Sequence, residues 1–269
     1  MSNGKRIFIT GGASGLGRAL GERYARAGWR VCIGDVNEAR GAETLPSLGQ
    51  GAHFLRCDVT REEDLLAAAR WLEENWGGVD VVVNNAGVAV SGNIDESSIA
   101  DWQWIVDINL LGVVRGCRAF VPMLRKQKSG HIVNIASMAG LVYPPQMSAY
   151  CATKAGVVAL SETMQQELLD DHVGVSVVCP AFFRTNLTET MRAANAHTAR
   201  LTQHLVGKAK HGAPEIAELV YRGIERGDFH ILTHSEGKLA WMMKRFLPYA
   251  LYHRLMAAGT RKMMRPRDA

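Results

Sequence analysis

A doubly wound α/β fold, with a seven-stranded parallel sheet flanked by helices on both faces, is predicted by three features of the 269-residue sequence. Short apolar runs rich in β-branched residues alternate with helical stretches along the chain. A glycine cluster, "TGGASGLG" at 10–17, follows the first run and opens a helix. An aspartate, Asp35, closes the second run. Apolar runs of this kind suit strands buried on both faces. Strands that alternate with helices give βαβ units with right-handed crossovers. Ligands of such sheets bind beyond the strand carboxyl ends, where the strand order reverses.

The elements follow in order. "RIFIT" (6–10) is the first strand, and a helix runs from the glycines to Gly28. "VCIGD" (31–35) and "HFLRCD" (53–58) are the second and third strands, and 61–76 is a helix. "VDVVVNN" (79–85) is the fourth strand, before a long helix at 98–126. "HIVNIAS" (131–137) is the fifth, followed by a helix at 149–170. "VSVVCP" (175–180), a helix at 214–226 and "FHILT" (229–233) complete the sheet. Residues 1–235 read as one domain with a substrate lid at about 182–212. Residues 236–269 read as a helical extension packed on it, with Pro248 starting a second helix and Gly259 ending it.

Composition narrows the class. Hydrophobic residues make up 47% and charged residues 21%, the balance of a soluble globular chain. No apolar run reaches the roughly 18 residues of a membrane span. "MSNGKRIFIT" runs straight into a strand without a secretory pattern, so a cytoplasmic location is expected. The five cysteines, Cys32, Cys57, Cys117, Cys151 and Cys179, form no CxxC pair. They are expected to be reduced, with no disulfide framework and no metal site. Cys151 adjoins Tyr150, but no base or cation motif around it calls for a reactive thiol.

The net charge of +5 is concentrated at one end. Lys238, Lys244, Arg245, Arg254, Arg261, Lys262, Arg265 and Arg267 face Asp268 alone, so the body is close to neutral. Apolar residues alternate with these bases. One reading is an amphipathic element on an anionic membrane; the preferred one is a helix pair packed on the body. The last residues, "RKMMRPRDA", are expected to fray. Nucleic-acid binding has no motif behind it.

The glycine cluster points to a dinucleotide. Gly11, Gly15 and Gly17 allow a tight turn and close approach of backbone to a pyrophosphate, and Ser14 and Leu16 lie within the same turn. The helix that follows offers N–H groups and a positive dipole end. Asp35 is placed to accept from ribose hydroxyls and would repel a 2′-phosphate, so NAD is preferred over NADP; the alternative for Asp35 is a turn or cap residue. "CDVT" places Asp58 and Val59 near the adenine, although Thr60 with Glu63 also fits a capping box. "NNAG" ends the fourth strand, with Asn85, Ala86 and Gly87 against the cofactor.

"SAYCATKAG" (148–156) holds the candidate chemistry. Tyr150 and Lys154 are four residues apart, hence on one helix face. An ammonium lowers the pKa of a nearby phenol. Bringing a tyrosine from about 10 to neutrality takes roughly 4 kcal/mol.

Taken together, "TGGASGLG", "NNAG", Asn109, Ser137, "YCATK" and "PAFFRT" resemble the short-chain dehydrogenase/reductase family over roughly residues 5–235. The resemblance implies a Rossmann-type fold and hydride transfer between a nicotinamide and an alcohol or ketone. It implies Tyr150 as general acid/base, Lys154 lowering its pKa and holding the ribose, Ser137 donating to the substrate oxygen, and Asn109 holding a relay water. Pro180, Phe183 and Thr185 would lie over the nicotinamide. The chain departs from the family pattern at Ala181, where glycine is usual. Members often form dimers or tetramers through the long helices, and the same is expected here.

The substrate walls are expected from Val88, Met138, Tyr143, Met147, Phe182 and Leu187. Their apolar character fits a fairly hydrophobic secondary alcohol or ketone. The alternatives are an NADP-dependent 3-oxoacyl thioester reductase and a non-catalytic dinucleotide sensor. The intact Asn109–Ser137–Tyr150–Lys154 set argues against the sensor.

Overall fold

A computed structural model describes residues 4–264. The strands are β1 (Arg6–Thr10), β2 (Arg30–Asp35), β3 (His53–Arg56), β4 (Val81–Asn84), β5 (Val90–Ser91), β6 (Gly130–Ile135), β7 (Val173–Val178), β8 (Arg192–Ala193) and β9 (His230–Ile231). The helices are α1 (Gly15–Arg26), α2 (Glu38–Thr44), α3 (Glu62–Trp76), α4 (Ile99–Val106), α5 (Gly112–Gln127) and α6 (Ala139–Val142). They continue with α7 (Ser148–Glu167), α8 (Ala196–Gly207), α9 (Ala213–Glu225), α10 (Ser235–Phe246) and α11 (Tyr249–Met264).

Seven strands form one parallel sheet in the order β3-β2-β1-β4-β6-β7-β9. The order reverses between β1 and β4, which is where a ligand crevice opens. Alternate residues serve opposite faces. Phe8, Val82 and Ile132 pack with Leu65 and Leu72 of α3, Phe120 and Leu124 of α5, and Val157 of α7. Ile7, Ile9, Val31 and Val83 face the other way, onto Leu20 and Tyr24 of α1 and Ile216 and Val220 of α9. The predicted doubly wound fold is the observed one.

Two details differ from expectation. The helix expected at 98–126 is interrupted by a π-helical turn at Asp107–Leu111, with Asn109 at its centre. Gly259 does not end the last helix, which runs to Met264; the remainder of the expected frayed end lies outside the described residues. A glycine in a helix interior costs only about 1 kcal/mol. Burial of Tyr252 and the contacts of this helix pair outweigh that cost.

The end of the sheet opposite the crevice is tied by Arg6 and Asp80. The Arg6 backbone N–H donates to Asp80 Oδ2 at 2.6 Å, and its guanidinium donates to Oδ2 at 3.0 Å and Oδ1 at 2.8 Å. A third guanidinium bond reaches the Trp76 carbonyl at 2.9 Å, so one side chain joins β1, α3 and the start of β4. Burial alone would raise the Asp80 pKa; the hydrogen bonds and charge of Arg6 outweigh it and hold the carboxyl below its usual range. A depressed carboxylate pKa contributes stability above the unfolded value, near 4, that is lost as pH falls through the folded value. Asp80→Asn is expected to cost about 1–3 kcal/mol at neutral pH and to flatten the acid limb of the stability curve. Urea denaturation at several pH values reads both effects.

Candidate active site

The glycine turn lies between β1 and α1. Gly11 and Gly15 have φ of +63° and +53°, a region that side-chain-bearing residues rarely adopt. A Cβ at Gly17 would lie 2.2 Å from the Gly11 carbonyl oxygen, so the helix meets the turn with no room for a methyl group. Ser14, the cap residue, makes no side-chain capping bond, and the first turn of α1 holds no acid. Its terminal N–H groups therefore face the crevice without a side-chain anion. These features fit a dinucleotide pyrophosphate.

Asp35 braces this turn: its Oδ2 accepts from the Ala13 N–H at 3.0 Å and its Oδ1 from the Asn37 N–H at 3.0 Å. Both oxygens keep lone pairs for ribose hydroxyls. The turn role and the ribose role are thus compatible. Asp58 serves its own loop through one oxygen: Oδ1 accepts from both the N–H and the hydroxyl of Thr60, at 2.9 and 2.7 Å, which leaves Oδ2 for the expected adenine contact. The Thr60–Glu63 capping box is replaced by this turn and by Asp64 Oδ2, which accepts from the Asp58 N–H at 3.0 Å. Val59 is buried against Gly112.

Asn85 also serves the turn. Its Nδ2 donates to the carbonyls of Thr10 and Gly11, at 2.9 and 3.1 Å. Thr10, which the motif reading passed over, returns the contact: its Oγ1 accepts from the N–H groups of Asn85 and Ala86. The glycine turn and "NNAG" are one braced unit. A β-branched hydroxyl residue ending a strand beside a glycine turn was the available signal for Thr10.

Asn109 sits fully buried in the π turn. Its Oδ1 accepts from the Val88 N–H and its Nδ2 donates to the Val88 carbonyl, both at 2.8 Å. Such turns inside α-helices recur at functional sites, and here the extra residue aims an amide at the loop after "NNAG". Gly87 lies between Asn109 and Lys154: a Cβ there would be 3.3 Å from Asn109 Oδ1 and 3.6 Å from Lys154 Nζ.

Ser137 follows β6. Its hydroxyl donates to the Pro180 carbonyl at 3.3 Å and accepts from the Ala139 N–H at 3.1 Å. Tyr150 and Lys154, on α7, are 8% and 4% exposed. Lys154 Nζ donates to the Ile135 carbonyl at 2.7 Å and lies 5.8 Å from the centre of the Tyr150 ring. Burial raises the Tyr150 pKa to about 12, opposed by hydrogen bonding with Ser137. Burial lowers Lys154 to about 8. In the chain alone desolvation outweighs every favourable neighbour of Tyr150; the expected drop toward neutrality counts on the positive charge of a nicotinamide as well as on Lys154.

The expected substrate residues divide. Val88, Met147 and Leu187 pack in one apolar cluster with Tyr150, Val90 and Ile105. Phe182 and Met147 line a small cleft closed by Leu201 and Leu205 of α8. The lid is pinned to this rim by the β5–β8 pair, too short to read from sequence. Tyr143 and Met138 lie outside that cluster and contact α10. Tyr143 caps α6 with φ of +53°, which swings its half-exposed ring under Lys244 at 3.3 Å. Met138 is buried against Gly237 at the start of α10. Thr185 Oγ1 lies 3.0 Å from where a Gly15 Cβ would stand, and Phe183 packs against the core beneath α1 and α9. The Pro180 carbonyl also accepts from the Met138 N–H at 2.9 Å.

A family model, described as short chain dehydrogenase, matches residues 5–196. The chain belongs to the short-chain dehydrogenase family. A crystal structure of a short-chain dehydrogenase/reductase from Burkholderia phymatum in complex with NAD superposes with a TM-score of 0.86 at 35% identity. The match covers 90% of this chain and 93% of that one. A CLA biosynthesis dehydrogenase/reductase of Lactiplantibacillus plantarum is 34% identical, covering 86% of this chain and 88% of that protein. A 3beta-hydroxysteroid dehydrogenase 1 of Eggerthella lenta is 32% identical, covering 79% and 83%. As a short-chain dehydrogenase the chain is an NAD(P)-dependent oxidoreductase that interconverts CH–OH and C=O groups of small molecules. Members of the family often assemble as oligomers. No helix among the described residues is long and apolar enough to cross a membrane.

Proposed function

We propose that this short-chain dehydrogenase interconverts a fairly hydrophobic secondary alcohol and its ketone with NAD(H), and that Tyr150 exchanges the proton. The observation that carries this reading is a buried tyrosine beside Ser137 and a buried lysine beside Gly87, gathered at the carboxyl ends of β4 and β6, next to the point where the strand order reverses. The nicotinamide, when bound, supplies the hydride acceptor or donor. The chain supplies the rest. The α1 terminus and glycine turn hold the pyrophosphate, and Asp35 holds the adenosine ribose. Lys154 keeps N–H donors for the other ribose, since one bond anchors it to Ile135. Ser137 donates to the substrate oxygen and Tyr150 gives or takes its proton.

The apolar cluster around Val88, Met147 and Leu187 supports a hydrophobic substrate. The 3beta-hydroxysteroid named for one relative is a substrate of that class. The cofactor preference rests on Asp35, whose carboxylate would meet a 2′-phosphate with like charge. Titration with NADH and NADPH, followed by nicotinamide fluorescence, is expected to give about tenfold or greater preference for NADH, since each tenfold step needs only about 1.4 kcal/mol. Tighter NADPH binding would overturn the ribose role of Asp35 and favour the oxoacyl reductase reading.

A further inference from the structure

The tail has two faces with different fates. Its inner face is docked. Lys244 Nζ donates to the Leu141 carbonyl at 2.6 Å and Tyr252 Oη donates to the Val142 carbonyl at 3.3 Å, satisfying the last carbonyls of α6. Trp241 packs on the core, and Tyr252 is buried.

The outer face is apolar and exposed. Leu239, Met242 and Phe246 follow the three- and four-residue steps of one helical stripe on α10. Lys238 and Arg245, seven residues apart and both exposed, border the same stripe. On α11, Leu251 and Leu255 are one turn apart and exposed, beside exposed Arg254. Phe246 and Tyr249, 73% and 76% exposed, flank the turn between the helices. Glu236 is the single acid on either helix. Four more bases follow Arg254 in the sequence, so the whole positive excess of the chain belongs to this element.

We propose that the outer face of α10–α11 is a docking surface for an anionic lipid membrane. Exposed aliphatic and aromatic side chains bordered by lysine and arginine are what an interfacial helix presents: the apolar stripe enters the headgroup boundary and the bases pair with anionic headgroups. The long basic side chains reach sideways while their stems cover apolar surface. Charge separates this occupant from a second copy of the chain. A two-fold interface on this face would set Lys238, Arg245 and Arg254 against themselves. A membrane carrying anionic lipid brings the complementary sign. Because α10 begins against Met138 and its inner face holds α6, docking would bring a lipid phase beside the segment that follows Ser137.

Vesicle flotation of the full chain tests this without reference to turnover. Phosphatidylcholine vesicles are compared with vesicles containing one third phosphatidylglycerol, at low and high salt. The expected result is flotation with the phosphatidylglycerol vesicles only, released by high salt. Two double variants, Leu239→Glu with Phe246→Glu and Lys238→Glu with Arg245→Glu, are each expected to lower partitioning by about tenfold or more. All changed residues are exposed, and thermal melting with NADH binding checks that the fold is kept. No flotation, equal flotation on both vesicles, or indifference to the charge variant would overturn the proposal. So would a dimer, seen by light scattering, that the Leu239/Phe246 variant dissolves while vesicles bind nothing; the face would then belong to a second copy.

Discussion

Tyr150→Phe is expected to lower turnover by about three orders of magnitude while leaving NADH affinity within about twofold, because a positioned acid/base contributes about 10²–10⁴. The variant isolates one atom. The ring stays in its cluster with Val90, Ile105 and Met147, so packing is kept and the fold should be unaffected. What disappears is the hydroxyl next to Ser137. Steady-state rates, fluorescence titration and a thermal melt on the same preparation separate loss of chemistry from loss of binding or of fold. The pH profile gives a second reading. With the phenol of the free chain near 12, alcohol oxidation needs its deprotonated form. That rate should therefore climb as pH rises from neutrality. Lys154 retains its charge below about 8 and so assists at neutral pH. Carbonyl reduction uses the neutral phenol, which is present across the same range, and should not show the climb. Retained turnover in Tyr150→Phe would remove the tyrosine from its proposed role.

What the sequence disclosed follows from where its signals are strong. β1, β4 and β6 are buried on both faces, so they stand out as apolar runs, and the glycine cluster marks the one turn that tolerates no side chains. The position of Asn109 was legible, but the π turn that aims it was not, because one extra residue per turn leaves no trace in composition. Asp58 illustrates a different limit: a strand-end carboxylate can serve a ligand, its own loop or both, and only geometry shows that Thr60 takes one oxygen, Oδ1. The surroundings of Tyr143 and Met138 were not legible either, because the four-residue helix between them ends in a left-handed cap that sets Tyr143 under Lys244 and leaves Met138 against Gly237. Packing of α10 onto α6 depends on Lys244 finding a carbonyl about a hundred positions earlier, which no local pattern encodes.

Gly17→Ala is expected to destabilise the chain by about 1–3 kcal/mol and to weaken NADH binding by about tenfold or more. The direction is opposite to the general rule, since alanine in a helix is ordinarily favoured over glycine by about 1 kcal/mol. The reason is what the added methyl group would meet: the Gly11 carbonyl oxygen at 2.2 Å and Asn85 Nδ2 at 2.6 Å. Neither can yield cheaply. Gly11 is held in a left-handed conformation, and its carbonyl accepts from Asn85, which also holds Thr10. Relief therefore requires α1 to move away from the turn, separating the helix N-terminus from the backbone groups that together form the anion cradle. Gly207→Ala is the control. It lies at the end of α8 with nothing near its would-be Cβ, and it should be neutral or slightly stabilising. Urea denaturation and NADH titration of both variants distinguish a general tolerance of alanine from a specific demand at residue 17. If Gly17→Ala bound NADH like the unaltered chain, the turn between β1 and α1 would not be where the pyrophosphate sits, and the cofactor would have to be placed elsewhere along the crevice.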